Sequence, residues 1–194
     1  MIWPPERSRA LKSTVVLVEV LGDPDVDDGR LLAAYLEAKL TLADCFEVFA
    51  REQYGDPAPL KKVRSVVADQ IRFRFAFLPE RLVQVRGYGP VHQRIFNYLV
   101  QQVGRDVSGW DLRALAGDAV RTERRARELR DVGMRLVTRT ASGHSVYVLE
   151  SASPDLRLGA WLQACRAVRE SVGMSGADRE GLLARLGERP DALS

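Results

Sequence analysis

The chain has 194 residues, 46% of them apolar and 28% charged, with a net charge of +3. That is enough chain for one large domain or two small ones around a real core, and the balance is that of a globular protein rather than a disordered or fibrous one. Helix formers such as Leu, Ala, Arg and Glu dominate, so the expected class is mainly α (α+β). The longest apolar run, Thr14 to Leu21, is too short to cross a bilayer and contains Glu19. Residues 1–6 lack the charged-then-apolar order of a signal peptide, so no membrane partner and a cytoplasmic location are expected.

In chain order, the residues up to Lys12 read as a loose arm. Thr14 to Leu21 reads as a short buried strand, with a helix start as the alternative. A turn rich in aspartate, Gly22 to Gly29, leads into a long helix from Arg30 to about Glu52. Leu32, Leu36, Leu40, Ala43 and Val48 mark one face of it, and Tyr35, Leu42, Phe46 and Phe49 widen that face. So broad an apolar stripe suits a core helix or a dimer contact.

Gly55 to Pro59 breaks the pattern, and Leu60 to Ile71 resumes helical spacing. Arg72 to Leu78 then alternates with period two, and Arg81 to Arg86 can pair with it as a hairpin. With Lys61, Lys62 and Arg64 this makes a second basic feature, either a second, degenerate winged helix or an auxiliary DNA contact, or else a structural unit with solvated arginines. Gly87 to Pro90 reads as a boundary. The expected division is an N-terminal α+β domain over 1–88, a central module over 89–150 and C-terminal helices over 151–194. The last part holds an amphipathic helix from Leu156 to Val168 and a short one from about Ala177.

Charge singles out the centre. Residues 1–90 and 151–194 are each balanced, so the whole positive excess lies in 91–150. A localised basic patch is the footprint of a nucleic-acid reader. Val91 to Val103 spaces its apolar residues as a helix, ended by Gly104. Ser108 or Gly109 opens a short helix, Trp110 to Ala116. After Gly117, Asp118 is a plausible N-cap for a third helix, Ala119 to Val132. On it Thr122, Ala126 and Leu129 form the inward stripe, while Arg121, Arg124, Arg125 and Glu128 share the opposite side. Met134 to Arg139 and His144 to Glu150 alternate as strands around the tip Thr140 to Gly143. The order is that of a winged helix. The third helix fits the major groove, and guanidinium groups grip phosphates or guanine edges. The candidate contact residues are Arg121, Thr122, Arg124 and Arg125, with Arg139 and His144 on the wing.

The segments SGWDLRALA (Ser108 to Ala116), TERRARELRDVGMRL (Thr122 to Leu136) and VYVL (Val146 to Leu149) resemble the winged helix of biotin-repressor type, a module that also accompanies restriction-type endonucleases. The resemblance covers roughly 60 residues and implies that the third helix reads the major groove while the hairpin touches the backbone. The polar turn at Gly117 and Asp118 departs from it, since an apolar residue often sits there.

Other chemistry is thin. Asp23, Asp25, Asp27 and Asp28 fail the calcium-loop pattern, whose sixth and twelfth positions here hold Asp28 and Ala34, so a helix-entry turn is expected. Asp25, Glu37 and Lys39 match the spacing of the metal-dependent nuclease signature, but Glu37 and Lys39 fall in a helical run, where they diverge by about 200°. Cys45 and Cys165 read as buried free thiols, and no Cys/His spacing suits zinc. No phosphate-cradling loop or dinucleotide fingerprint is present, so no cofactor and no metal are expected. The favoured reading is a sequence-specific, double-stranded DNA-binding homodimer, serving transcription regulation or as the recognition component of a DNA-processing or defence system. A nuclease targeted by the winged helix and a protein-assembly module are the alternatives.

Overall fold

A computed structural model describes residues 5–117, 121–141 and 143–191. The protein is mainly α, with eight helices and one small antiparallel sheet among these residues. The helices are α1 (Pro5–Leu21), α2 (Asp28–Tyr54), α3 (Ala58–Arg74), α4 (Pro90–Gln101), α5 (Gly109–Leu115), α6 (Thr122–Glu128), α7 (Leu156–Glu170) and α8 (Gly176–Leu186). The strands are β1 (Val107–Ser108), β2 (Leu136–Ala141) and β3 (His144–Leu149), in the order β1-β3-β2.

The N-terminal third corrects the sequence reading twice. Residues 5–12 of the expected loose arm and the expected strand Thr14 to Leu21 together belong to α1. Its β-branched run is helical because Ala10, Ser13 and Val20 recur on one face and bury against Ala34, Ala38 and Thr41 of α2. Packing thus overrides the weak strand preference of valine. The expected hairpin over 72–86 is also absent. Helix α3 runs to Arg74, and a 3-10 turn, Glu80–Leu82, follows. Phe73 is 80% exposed, whereas Phe75 and Phe77 pack on the core, so the alternation was no strand face. Arg72 binds Asp69 and Glu80, and Arg64 donates to the Val85 carbonyl at 3.0 Å. Without the hairpin there is no second helix-plus-hairpin module here, and Arg64 and Arg72 are engaged locally.

The aspartate-rich turn is a helix entry, as expected: Asp27 caps α2 by accepting from Arg30 N, and Asp23 accepts from Asp25 N. Cys45 and Cys165 are free thiols; Cys165 is buried, while Cys45 is only half-buried.

One contiguous core runs from Ala50 to Leu186, with Leu60, Ile71, Ile95, Leu99, Leu112, Leu129, Tyr147 and Leu149 among its fully buried members. Val103, expected on the inner face of α4, lies past its end and is exposed. Helix α7 closes this core against α3 and against the 3-10 turn Leu129–Val132 that continues α6. There the backbones nearly touch. A Cβ on Gly133 would sit 2.2 Å from the Asp155 carbonyl oxygen, and one on Gly159 would sit 2.8 Å from the Val132 carbonyl carbon.

Candidate nucleic-acid interface

Helix α5 begins with a reciprocal capping box: Ser108 Oγ accepts from Asp111 N, and the Asp111 carboxylate accepts from Ser108 N. This fixes β1 and α5 as one corner, with Val107 and Ser108 paired to Tyr147 and Val146 of β3. The two-residue strand escaped the sequence reading because it is too short to show any alternation. Asp118, Ala119 and Val120, expected to begin the third helix, lie outside the described residues. Arg121 follows in the left-handed region at φ 66°, and α6 starts at Thr122.

On α6 the inward stripe of Thr122, Ala126 and Leu129 is fully buried. Thr122 therefore has no surface to offer a ligand, which corrects its inclusion among the contacting side chains; it holds the helix from within. Arg121, Arg124 and Arg127 are exposed, and Arg125 is half-buried. Arg124 donates to Glu128 at 2.9 Å, so part of its charge is neutralised within the face.

The C-terminal end of α6 is pinned by a buried polar network. His92 Nε2 lies 2.8 Å from Glu128 Oε2, and Tyr88 Oη donates to the Glu128 carbonyl at 3.1 Å. Gln163 Nε2 donates both to Tyr88 Oη at 2.8 Å and to the Asp131 carbonyl at 2.9 Å. Burial holds His92 below its ordinary value despite the adjacent carboxylate, so the neutral ring donates to Glu128. Burial raises Glu128, but the bonds from His92 and Arg124 outweigh it and keep the carboxyl ionised. The pinned end leaves the arginine-bearing start of α6 towards solvent.

Beside α6 stands the β2–β3 hairpin. β2 is the edge strand: only its Leu136 is buried and Val137 to Ala141 are exposed, whereas Val146, Tyr147 and Leu149 of the central strand β3 are buried. The hairpin's base is tied by Arg130 of the 3-10 turn that continues α6, which donates to the Leu136 carbonyl and to Thr138 Oγ1, both at 2.6 Å. Arg139 is exposed and bridges to Asp106. His144 is exposed, and its ring meets Trp110 edge-on at 6.2 Å. Trp110 is itself 60% exposed, with the Arg113 guanidinium 4.9 Å over its ring and Arg113 paired to Glu123. Trp110 and Arg113 were missed as surface residues. The signal was the outward phase of α5, on which Leu112 and Leu115 alone are buried.

Asp25 lies in the turn before α2, and Glu37 and Lys39 both lie within α2, so the nuclease-like spacing does not converge on one point. Among the described residues no group of three His, Cys, Asp or Glu side chains is arranged to hold a metal ion. No helix among them is long and apolar enough to cross a membrane.

No curated protein and no solved structure matches the chain. Residues 92–162, from the first turn of α4 into α7, match the family described as the KpnI N-terminal domain, a domain associated with restriction endonucleases. The matched stretch contains the basic helix, the hairpin and the close approach of Gly133 to Asp155. It links this part of the chain to restriction-type DNA processing.

Proposed function

We propose that residues 89–150 act as a winged helix that binds double-stranded DNA, as the sequence-reading part of a restriction-type DNA-processing system. In this reading α6 enters the major groove with Arg121, Arg124, Arg125 and Arg127, and the β2–β3 hairpin lies along the backbone with Arg139 and His144. The observation that carries it is the placement of the arginine face of α6 near a hairpin whose edge strand is exposed, within the stretch matched to the KpnI N-terminal domain. Restriction association favours this role over transcription regulation. Residues 1–88 then serve as a platform, and residues 151–194 as a brace for the end of α6. Two copies would present two reading helices to a two-fold-symmetric site.

The test is selection from a random duplex pool followed by binding of the enriched site. Enrichment of a defined, two-fold-related sequence, lost when Arg121, Arg124 and Arg125 are replaced by alanine, supports the reading. Absence of any enriched duplex, or enrichment indifferent to those changes, sinks it. Cleavage of the selected duplex with Mg²⁺ present would move the assignment to a nuclease.

A further inference from the structure

The α1–α2 hairpin is built with its small side chains inside and its large ones outside. Its internal contact consists of Ala10, Ser13 and Val20 against Ala34, Ala38 and Thr41, joined by a Ser13–Thr41 hydroxyl pair. The contiguous core contains no residue of α1. Five large apolar side chains of α1 and seven of α2 remain between 38% and 64% exposed. Half-exposed side chains of this size amount to on the order of 1,000 Å² of apolar surface, whereas the largest patch on a monomer is about 300–600 Å².

The exposed side chains are ordered. On α1, Leu11, Val15 and Val18 follow spacings of four and three. On α2, Leu32, Tyr35, Leu42, Phe46 and Phe49 follow the alternating three-and-four spacing of a heptad seam, with Lys39 at the position between Tyr35 and Leu42. At about 100° per residue, each seam is turned roughly 100–150° from the face its helix presents to the other, in the same sense along the sequence. The helices pack back on each other across the short turn 22–27. In an antiparallel pair, equal turns bring both seams to the same side.

We infer that this two-helix face is the homodimer interface: the α1–α2 hairpin packs on the same hairpin of a second copy as a four-helix bundle. The inference rests on the homodimer reading above and assigns its surface, which lies outside the stretch matched to a known family. Area is the first argument: the eight apolar side chains on the two seams alone expose on the order of 800 Å², about what a standard specific interface needs from each partner. The second argument is Lys39 inside the α2 seam, since a polar residue within an apolar seam fixes register and suits a protein partner better than a lipid one.

Sedimentation of the full chain tests this. The wild type should be a dimer at micromolar concentration. Val15→Asp with Leu42→Asp should raise Kd by roughly 100-fold or more while leaving the helical circular dichroism intact; the lost burial alone exceeds the ~2.7 kcal/mol that corresponds to that factor. A dimer unmoved by the aspartates overturns this surface but leaves the homodimer standing. A wild type that stays monomeric at high micromolar concentration overturns both. A monomer that sediments with anionic phospholipid vesicles through this face replaces the second copy by a lipid surface.

Discussion

The contact between the end of α6 and the start of α7 makes a sharp stability prediction. Gly133 has φ +85° and a Cβ there would lie 2.2 Å from the Asp155 oxygen, with the Asp155 nitrogen and carbonyl carbon also within contact. Asp155 N donates to the Gly133 carbonyl at 2.8 Å, and the Asp155 side chain caps α7 by accepting from Arg157 N and Leu158 N. For Gly133→Ala, the left-handed backbone costs about 1–2 kcal/mol, loss of the hydrogen bond about 1, and disturbance of the cap about 1. The sum is about 3–4 kcal/mol, which in a chain of this size lowers Tm by roughly 10 °C. Gly173→Ala is the matched control, since Gly173 has φ +78° and nothing within 4 Å of its Cβ position. It should bear the conformational cost alone, a loss of about 4 °C. Calorimetric melting of both variants decides the matter. Equal losses would refute the claim that steric contact between these two segments holds the end of α6 in place.

Further predictions concern the network and the surface. His92 has a folded-state value lowered by burial, so its stabilising contribution is complete above the unfolded-state value of about 6.5 and fades as pH falls from there through the folded value. Chemical denaturation from pH 7.5 down to 5 should show that loss, and His92→Gln should flatten it; an unchanged profile contradicts the role given to His92. Glu128→Gln should free Arg124 from its 2.9 Å partner and steepen the salt dependence of duplex binding by up to about 0.9 in the log–log slope; a shallower slope would count against Arg124 as a phosphate contact. Trp110→Ala removes an exposed ring resting on Arg113 and His144, so it should cost under about 1 kcal/mol of stability yet weaken duplex binding. A variant that binds as well as wild type would place the Trp110 corner outside the interface.

What the sequence made legible depended on local repetition. Ile95, Phe96 and Leu99 on α4, Ala126 and Leu129 on α6, and the strands around Gly143 repeat with a clear period, and their elements were placed within a few residues. The charge excess likewise located the basic segment. Thr14 to Leu21 misled because valines favour a strand locally, while the small residues that make the run helical act through α2 (Ala34, Ala38 and Thr41), beyond any local window. Arg72 to Leu78 misled because arginine and phenylalanine alternate by chance at a helix end. Distant partnerships carried no sequence signal: nothing near His92 announces Glu128, and nothing near Gly133 announces Asp155. The role of Thr122 was misjudged because a hydroxyl on an arginine-rich helix reads as a contact until its burial is seen.

The central claim is that α6 and the hairpin bind duplex DNA. It is tested most directly by fluorescence-anisotropy titration of a labelled duplex across salt concentration, for the wild type and for Arg121→Ala/Arg124→Ala/Arg125→Ala. The account predicts binding whose log–log salt slope is about −3 or steeper, reduced by about 2–3 in the triple variant, as loss of up to three phosphate contacts requires. No binding at low salt, or a slope that the triple substitution leaves unchanged, would contradict it.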